Sequence, residues 1–324
     1  MRQLRSIEFC AGAGGQALGL EAAGFRHDLL LDNDEHCCAT LQHNRPDWNV
    51  VCADMQTASV HAHDGVDLFA GGLPCPPFSV AGKQLGEKDE RNLFEDALRL
   101  ISQSNPKFVL IENVRGFLSP VFADYRKKLR SRFQALGYDV EWTLFNASDF
   151  GVAQLRPRVA IVAAQKAYWP NFSFPVGDMQ PRTVGETLVD LMAQDGWKGA
   201  RAWAKQADRI APTIVGGSKK HGGPDLGPTR ARNAWLKLGV NGKSLANEPP
   251  QKGASDLPRL TIRMVARLQG FPDDWAFTGR KTHAYRQVGN AFPPPVAAAI
   301  GKQIAKAIIA TEAGLPVRNK IAAE

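Results

Sequence analysis

The chain has 324 residues, 44% of them apolar and 22% charged, the balance of a soluble globular protein with length for one large α/β domain or two smaller ones. Its net charge of +8 is unevenly spread: residues 1–100 hold 8 Lys and Arg against 15 Asp and Glu, residues 101–200 hold 12 against 9, and residues 201–324 hold 20 against 8. A basic C-terminal part on an acidic N-terminal part suggests that one portion meets a polyanion, while the absence of a bilayer-length apolar run or a signal-peptide pattern after Met1 excludes a membrane protein and points to the cytoplasm.

The opening segments Ser6-Ile7-Glu8-Phe9, Gly12-Ala13-Gly14-Gly15, Ala17 to Ala23 and Asp28-Leu29-Leu30-Leu31 read as strand, glycine turn, helix and strand. This is a nucleotide-type βαβ unit, in which glycines let the backbone approach a ligand and an acid at the next strand end accepts hydrogen bonds from ribose. Asp32 is placed for that task. Cys52-Ala53-Asp54 ends a third short strand at Val50-Val51. A glycine turn alone also occurs for structural reasons, but three successive strand ends tipped by Gly or Asp point to an adenosine-containing small molecule.

Next, Asp67-Leu68-Phe69-Ala70 reads as a buried strand running into Gly71-Gly72-Leu73-Pro74-Cys75-Pro76-Pro77-Phe78-Ser79. Three prolines fix their own φ and two glycines permit a sharp turn, a backbone suited to presenting one thiol. The polar, glycine-containing stretch from Lys83 to Arg91 is expected to close over a substrate. A helix over Leu93 to Ser102 leads to the apolar strand Lys107 to Val114, which sets Glu112 at the same sheet edge as Asp32, Asp54 and Cys75. A carboxyl group at an apolar strand end has its pKa raised and can serve as an acid.

A helix from Phe122 to Leu136 carries Arg126, Lys127, Lys128, Arg130 and Arg132, read as a solvated face. Strands follow at Asp139 to Asn146 and Arg158 to Ala164. Between them, alternation puts Gln154, Arg156 and Arg158 on one side, suited to phosphate or a base edge, or equally to surface ion pairs. From about Pro170 the periodicity fades. Residues 181–272 are read as a second, smaller, irregular domain anchored by Trp197, Trp203, Trp235, Leu236 and Leu238, with a glycine and basic loop at Gly216 to Gly223. Lys219, Lys220, Arg230 and Arg232 are its candidate DNA contacts. Helices are read at Thr261 to Leu268 and Pro295 to Ala313, which divides the chain into 1–180, 181–272 and 273–324. Five cysteines with no Cys-x-x-Cys pair, and His61 and His63 with no cysteine at ligand spacing, leave no metal site or disulfide framework to expect.

Taken together, these segments resemble the bacterial DNA (cytosine-5) methyltransferases. The resemblance rests on Phe9-Cys10-Ala11-Gly12-Ala13-Gly14-Gly15, Gly72 to Ser79, Glu112-Asn113-Val114, Gln154-Leu155-Arg156-Pro157-Arg158, Arg259 to Pro272 and Gln287 to Pro294, six segments in the family's order. About 90 residues before Arg259 fall outside it, where the family keeps its variable target-recognition region. Two departures are Pro76, where many relatives have Gln, and Ala153, where many have Pro.

The resemblance implies a Rossmann-like, S-adenosylmethionine-dependent methyltransferase fold with a smaller target-recognition domain, acting as a monomer on double-stranded DNA. It implies that Cys75 attacks carbon 6 of a flipped-out cytosine, that Glu112 protonates N3, that Arg158 holds O2 and that Arg156 helps arrange the site. For S-adenosylmethionine it implies Phe9 against the adenine, the Gly12, Gly14 and Gly15 backbone near the methionine part, Asp32 on the ribose, Asp54 on the adenine amino group, and Pro74 and Asn290 lining the pocket. Ser79 and Gln154 would contact DNA. Structured RNA is the rival substrate, disfavoured by the size and charge of the intervening region. A DNA-binding regulator without catalysis is opposed by the intact Cys75, Glu112 and Arg158, and a nicotinamide oxidoreductase leaves the Cys75 loop unexplained.

Overall fold

Short apolar runs that end in Gly or an acid determine the sheet. In a computed structural model the chain is described over residues 2–74, 93–216 and 223–315. Seven strands, β1 (Leu4–Phe9), β2 (Phe25–Asp32), β3 (Val50–Cys52), β4 (Leu68–Gly71), β5 (Phe108–Val114), β6 (Tyr138–Asn146) and β7 (Pro157–Gln165), lie in the order β3-β2-β1-β4-β5-β7-β6. The first five are mutually parallel. Their order reverses between β1 and β4, so the loops after these two strands diverge and leave a crevice at their carboxyl ends.

One strand breaks the parallel pattern. β7 runs antiparallel to both β5 and β6, with Val114 opposite Arg158 and Asn146 opposite Pro157. The ten residues between β6 and β7 are too few for a crossover helix, so the chain must return antiparallel. As a result the start of β7 meets the end of β5, and the Arg158 end of one strand is delivered to the Glu112 end of the other.

Helices cover both faces. Among the described residues they are α1 (Gly15–Ala22), α2 (Glu35–Asn44), α3 (Phe94–Ser104), α4 (Ala123–Ala135), α5 (Val184–Ala193), α6 (Ala200–Gln206), α7 (Thr229–Lys237), α8 (Ile262–Leu268), α9 (Lys281–Asn290) and α10 (Pro294–Glu312). On one face Phe94, Ala97, Leu98 and Ile101 of α3, with Leu129 and Phe133 of α4, pack on Ile7, Phe69, Val109 and Ile161. On the other, Val296, Ile300 and Ile304 of α10 and Leu20 of α1 cover Leu68, Leu110 and Val162.

The cations of α4 are tied to their surroundings. Arg126 donates to the carbonyls of Phe117 and Ser119, Arg130 pairs with Glu141 over the Trp142 ring, and Arg132 pairs with Glu95. Between 181 and 272 the chain is more regular than its sequence suggests, with four helices among the described residues. Thr183 and Glu186 form a reciprocal capping box that starts α5. Trp203, Trp235 and Leu238 are buried and Trp197 is packed at the cluster's margin, but Leu236 is 52% exposed, because it falls on the outer face of α7. The same cluster holds Ala11, Leu18, Leu30 and Leu41, so this region packs directly on the βαβ opening.

At the opposite edge of the sheet, Asp67 locks the chain ends together. Arg2 reaches its two oxygens at 2.6 and 2.5 Å, Lys107 Nζ lies at 2.8 Å and the Arg5 amide at 2.9 Å, while Arg2 and Lys107 also bind Glu312 of α10. Burial alone would raise the Asp67 pKa; the bonds from Arg2 and Lys107 outweigh it and hold the group below its usual range. Glu312 is held low by Arg2 and Lys107 as well. Stability from both carboxylates is present above their unfolded pKa values and is lost as pH falls through the lower folded ones. Asp67→Asn is therefore expected to lower the unfolding free energy by about 2–4 kcal/mol at neutral pH, and by less below about pH 4, as measured by denaturant titration at several pH values.

Candidate active site

The carboxyl edge of the sheet brings together residues distant in sequence. Phe9 lies opposite Gly71 and Leu31, Asp32 lies opposite Cys52, and the Gly72 amide donates to the Phe9 carbonyl at 3.2 Å. The described chain reaches Pro74, which is exposed at this edge. Cys75 and Ser79, and the stretch from Lys83 to Arg91, lie outside the described residues, as do Lys219 and Lys220.

Glu112 is the acid of this edge. It is 6% exposed, and Arg158 Nε lies 2.6 Å from its Oε1, an ion pair whose N–H is not aimed along a hydrogen-bond axis. Burial pushes its pKa up, and the charges of Arg158 and Arg156 offset only part of that effect. The site therefore contains a carboxyl group that holds its proton to higher pH than an ordinary glutamate.

Arg156 and Gln154 occupy places that strand alternation does not reveal. Arg156 is completely buried, and its guanidinium donates to the carbonyls of Ile214, Gly289 and Ala291 at 2.6, 2.7 and 2.9 Å. It braces three segments against one another. Gln154, expected at DNA, is also completely buried: its Nε2 donates to Gln269 Oε1 at 2.5 Å and its Oε1 accepts from the Ile214 amide at 2.8 Å. This corrects the expectation, for a side chain bonded on both ends inside the protein has nothing left for a phosphate. Arg230 is exposed on the first turn of α7, and Arg232 is half-buried with Nη2 3.4 Å from Thr229 Oγ1.

At the end of β2, Asp32 organises the glycine turn. Its Oδ2 accepts from the Gly12 amide and its Oδ1 from the Asp34 amide, both at 2.8 Å. Gly12 and Gly14 have φ of 55° and 85°, and at Gly14 a Cβ would come within 2.7 Å of Leu41 and 3.0 Å of Trp275. A Cβ on Gly15 would lie 2.3 Å from the Phe292 carbonyl, so that glycine serves packing against the C-terminal segment. Asp54 is exposed and accepts from the Gln56 amide, and Asn290 is exposed at the end of α9.

Phe9 needs a second correction. Its ring is completely buried and stacks on Phe69 at 5.1 Å, because alternation along β1 turns it into the core. The residue presented where β1 ends is Cys10, half-buried, at φ 51°. Sequence reading also missed Trp275, whose indole N–H donates to the Ala13 carbonyl at 3.1 Å. The only signal was an aromatic residue soon after the Gly270-Phe271-Pro272 turn. Among the described residues there is no cluster of three potential metal ligands, and no helix is long and apolar enough to cross a membrane.

Residues 4–306 match the family described as C-5 cytosine-specific DNA methylase. The chain is 55% identical to the Type II methyltransferase M.NaeI of Lentzea aerocolonigenes, over 95% of this chain and 76% of that one. It is 50% identical to M.NgoMIV of Neisseria gonorrhoeae, over 94% of this chain and 98% of that one. Among solved structures, a prophage-encoded DNA modification methyltransferase from Escherichia coli superimposes with a TM-score of 0.66 at 24% identity, covering 94% of this chain and 99% of that one. A DNMT2 mutant from Spodoptera frugiperda gives 0.62 at 16% identity, covering 93% and 99%, a likeness of fold. The chain thus belongs to the C-5 cytosine-specific DNA methylase family. It is a DNA (cytosine-5) methyltransferase with a Rossmann-like fold.

If Gln154 is a strut, Gln154→Ala leaves the Ile214 amide and the Gln269 side chain buried and unpaired. The expected cost is about 2–4 kcal/mol of stability by thermal or denaturant unfolding, with the salt dependence of DNA binding unchanged.

Proposed function

We propose that this methyltransferase modifies cytosine within one specific duplex sequence, with Cys75 as nucleophile, Glu112 as the acid at N3 and Arg158 as the contact to O2. The observation that carries the reading is the buried Glu112 beside Arg158 at the edge where the described chain runs up to Cys75. Carbon 5 of cytosine is a poor nucleophile. Addition of a thiolate at carbon 6 moves electron density onto carbon 5, and the negative charge that appears on the ring is relieved when N3 is protonated. A carboxyl group whose pKa is raised by burial is suited to supply that proton, and a guanidinium beside it to hold the neighbouring carbonyl. Carbon 5 then takes the methyl group, a solvent base removes its hydrogen as a proton, and the electron pair left behind re-forms the double bond to carbon 6 and expels the thiolate, while N3 returns its proton to Glu112. Because these atoms are hidden in a duplex, the base must leave the stack.

S-adenosylmethionine fits the other half of the crevice and, when bound, supplies an electrophilic methyl group. Asp32 would meet the ribose and the Gly12, Gly14 and Gly15 backbone the methionine part, with Asp54, Pro74 and Asn290 around them. The positive-φ glycine turn, held by Asp32 at the switch point between β1 and β4, supports this placement. For DNA, the surplus of 20 Lys and Arg over 8 Asp and Glu in residues 201–324 supports a phosphate-facing surface that includes Arg230 and Arg232, with residues 181–272 as the target-recognition domain and residues 273–324 completing the catalytic one. The Type II naming of the relatives supports a role in restriction and modification.

The test is transfer of a labelled methyl group from S-adenosylmethionine to mixed-sequence duplex DNA. Wild-type protein should label cytosine at carbon 5, and Cys75→Ser should reduce the rate to background. Glu112→Gln should lower kcat by about 10²–10⁴, the usual worth of a positioned acid. In the wild type the rate should fall on the alkaline side, as pH rises through the raised pKa and Glu112 loses the proton it has to give. Unchanged turnover in Glu112→Gln would remove the acid from the scheme.

A further inference from the structure

The glycine turn is pinned from two sides, and only one pin comes from its own βαβ unit. Asp32 holds the Gly12 amide at 2.8 Å. One residue further on, the Ala13 carbonyl accepts from Trp275 Nε1 at 3.1 Å, across 262 residues of sequence. Trp275 is 5% exposed, and its ring edge lies 3.0 Å from where a Cβ would stand on Gly14, so the indole fills the space that glycine leaves. Behind it stands a rigid support. The Arg45 guanidinium lies over both Trp275 and Trp48, at 5.3 and 5.7 Å, and is itself fixed by Glu21, with Nη2 2.9 Å from Oε2. Phe271 packs on the far side at 6.3 Å between ring centres. A side chain so enclosed holds its indole N–H toward the Ala13 carbonyl.

We infer that Trp275 is a positioning residue for the cofactor: by fixing the Ala13–Gly14 peptide it presets the turn in its binding shape, so that S-adenosylmethionine meets a loop already ordered. This rests on the reading that places the cofactor at the glycine turn. The ordering cost that binding would otherwise carry is met in the folded protein, which lowers the dissociation constant without touching the transferred methyl group. The effect belongs to KM for S-adenosylmethionine and leaves kcat alone.

Trp275→Phe keeps an aromatic ring against Gly14 but cannot donate. Affinity for S-adenosylhomocysteine by calorimetry, and kcat and KM by methyl transfer, should be compared for wild type, Trp275→Phe and Asp32→Ala. The expected result is a rise of about fivefold in both Kd and KM for Trp275→Phe, the worth of one ordinary hydrogen bond, with kcat within about twofold of wild type. Hydrogen exchange in the cofactor-free protein should quicken in peptides covering residues 10–18 and not in those covering β4 and β5. Unchanged Kd and KM, a fall in kcat alone, or exchange that quickens throughout the chain would each overturn the inference, the last by making Trp275 a general core residue. If Asp32→Ala also binds like wild type, it is the placement of the cofactor at the glycine turn that fails.

Discussion

The buried carboxyl of Glu112 beside Arg158 is the constraint on which the rest of the structure depends. An acid 6% exposed in an apolar sheet is costly to ionise, and a guanidinium 2.6 Å away is costly to leave unpaired. The pair is held because β7 runs antiparallel to β5 and starts where β5 ends. Had β7 entered the sheet in parallel, Arg158 would lie at the far edge, some 20 Å away over a strand of this length. One reversal of strand direction thus determines whether the edge carries an acid that keeps its proton.

Around that edge the protein is assembled from pieces remote in sequence. Arg156 gathers the carbonyls of Ile214, Gly289 and Ala291, Gln154 joins Ile214 to Gln269, and Gly15 lies under the Phe292 carbonyl. These bonds lie inside the protein, where a missing partner costs more than a surface contact returns. They make the segments that flank residues 217–288 dependent on the turn that carries Arg156 into β7, and through that strand on Glu112. The two halves of the crevice, one proposed for the base and one for the cofactor, are consequently not independent modules.

Much of this was legible in the chain. All seven strands fall on runs that read as strands in the sequence, the shortest, Val50–Cys52, being marked by its position before Asp54. Glu112 and Asp32 stand out because a carboxylate at the end of an apolar strand has little structural reason to be there. What stayed hidden depends on which face a side chain takes once neighbours arrive. Gln154 and Arg156 look like exposed polar groups by alternation, yet carbonyls from 214, 268 and 289–291, invisible in local sequence, turn them inward. Phe9 is completely buried against Phe69, and no local signal in the sequence sets it inside rather than at the strand end. The helices of residues 184–237 were missed because they are short, and they are stabilised by packing into the cluster that also holds Leu18, Leu30 and Leu41.

The central claim is that Cys75 delivers the attacking sulfur at the edge set by Glu112. Duplex DNA carrying 5-fluorocytosine traps the covalent adduct, because fluorine at carbon 5 cannot leave as a proton does. Digestion and mass spectrometry of the trapped complex should place the nucleotide on the peptide containing Cys75 and on none containing Cys10, Cys37, Cys38 or Cys52. An adduct on any of those four, or no adduct from protein that methylates ordinary DNA, would contradict the account.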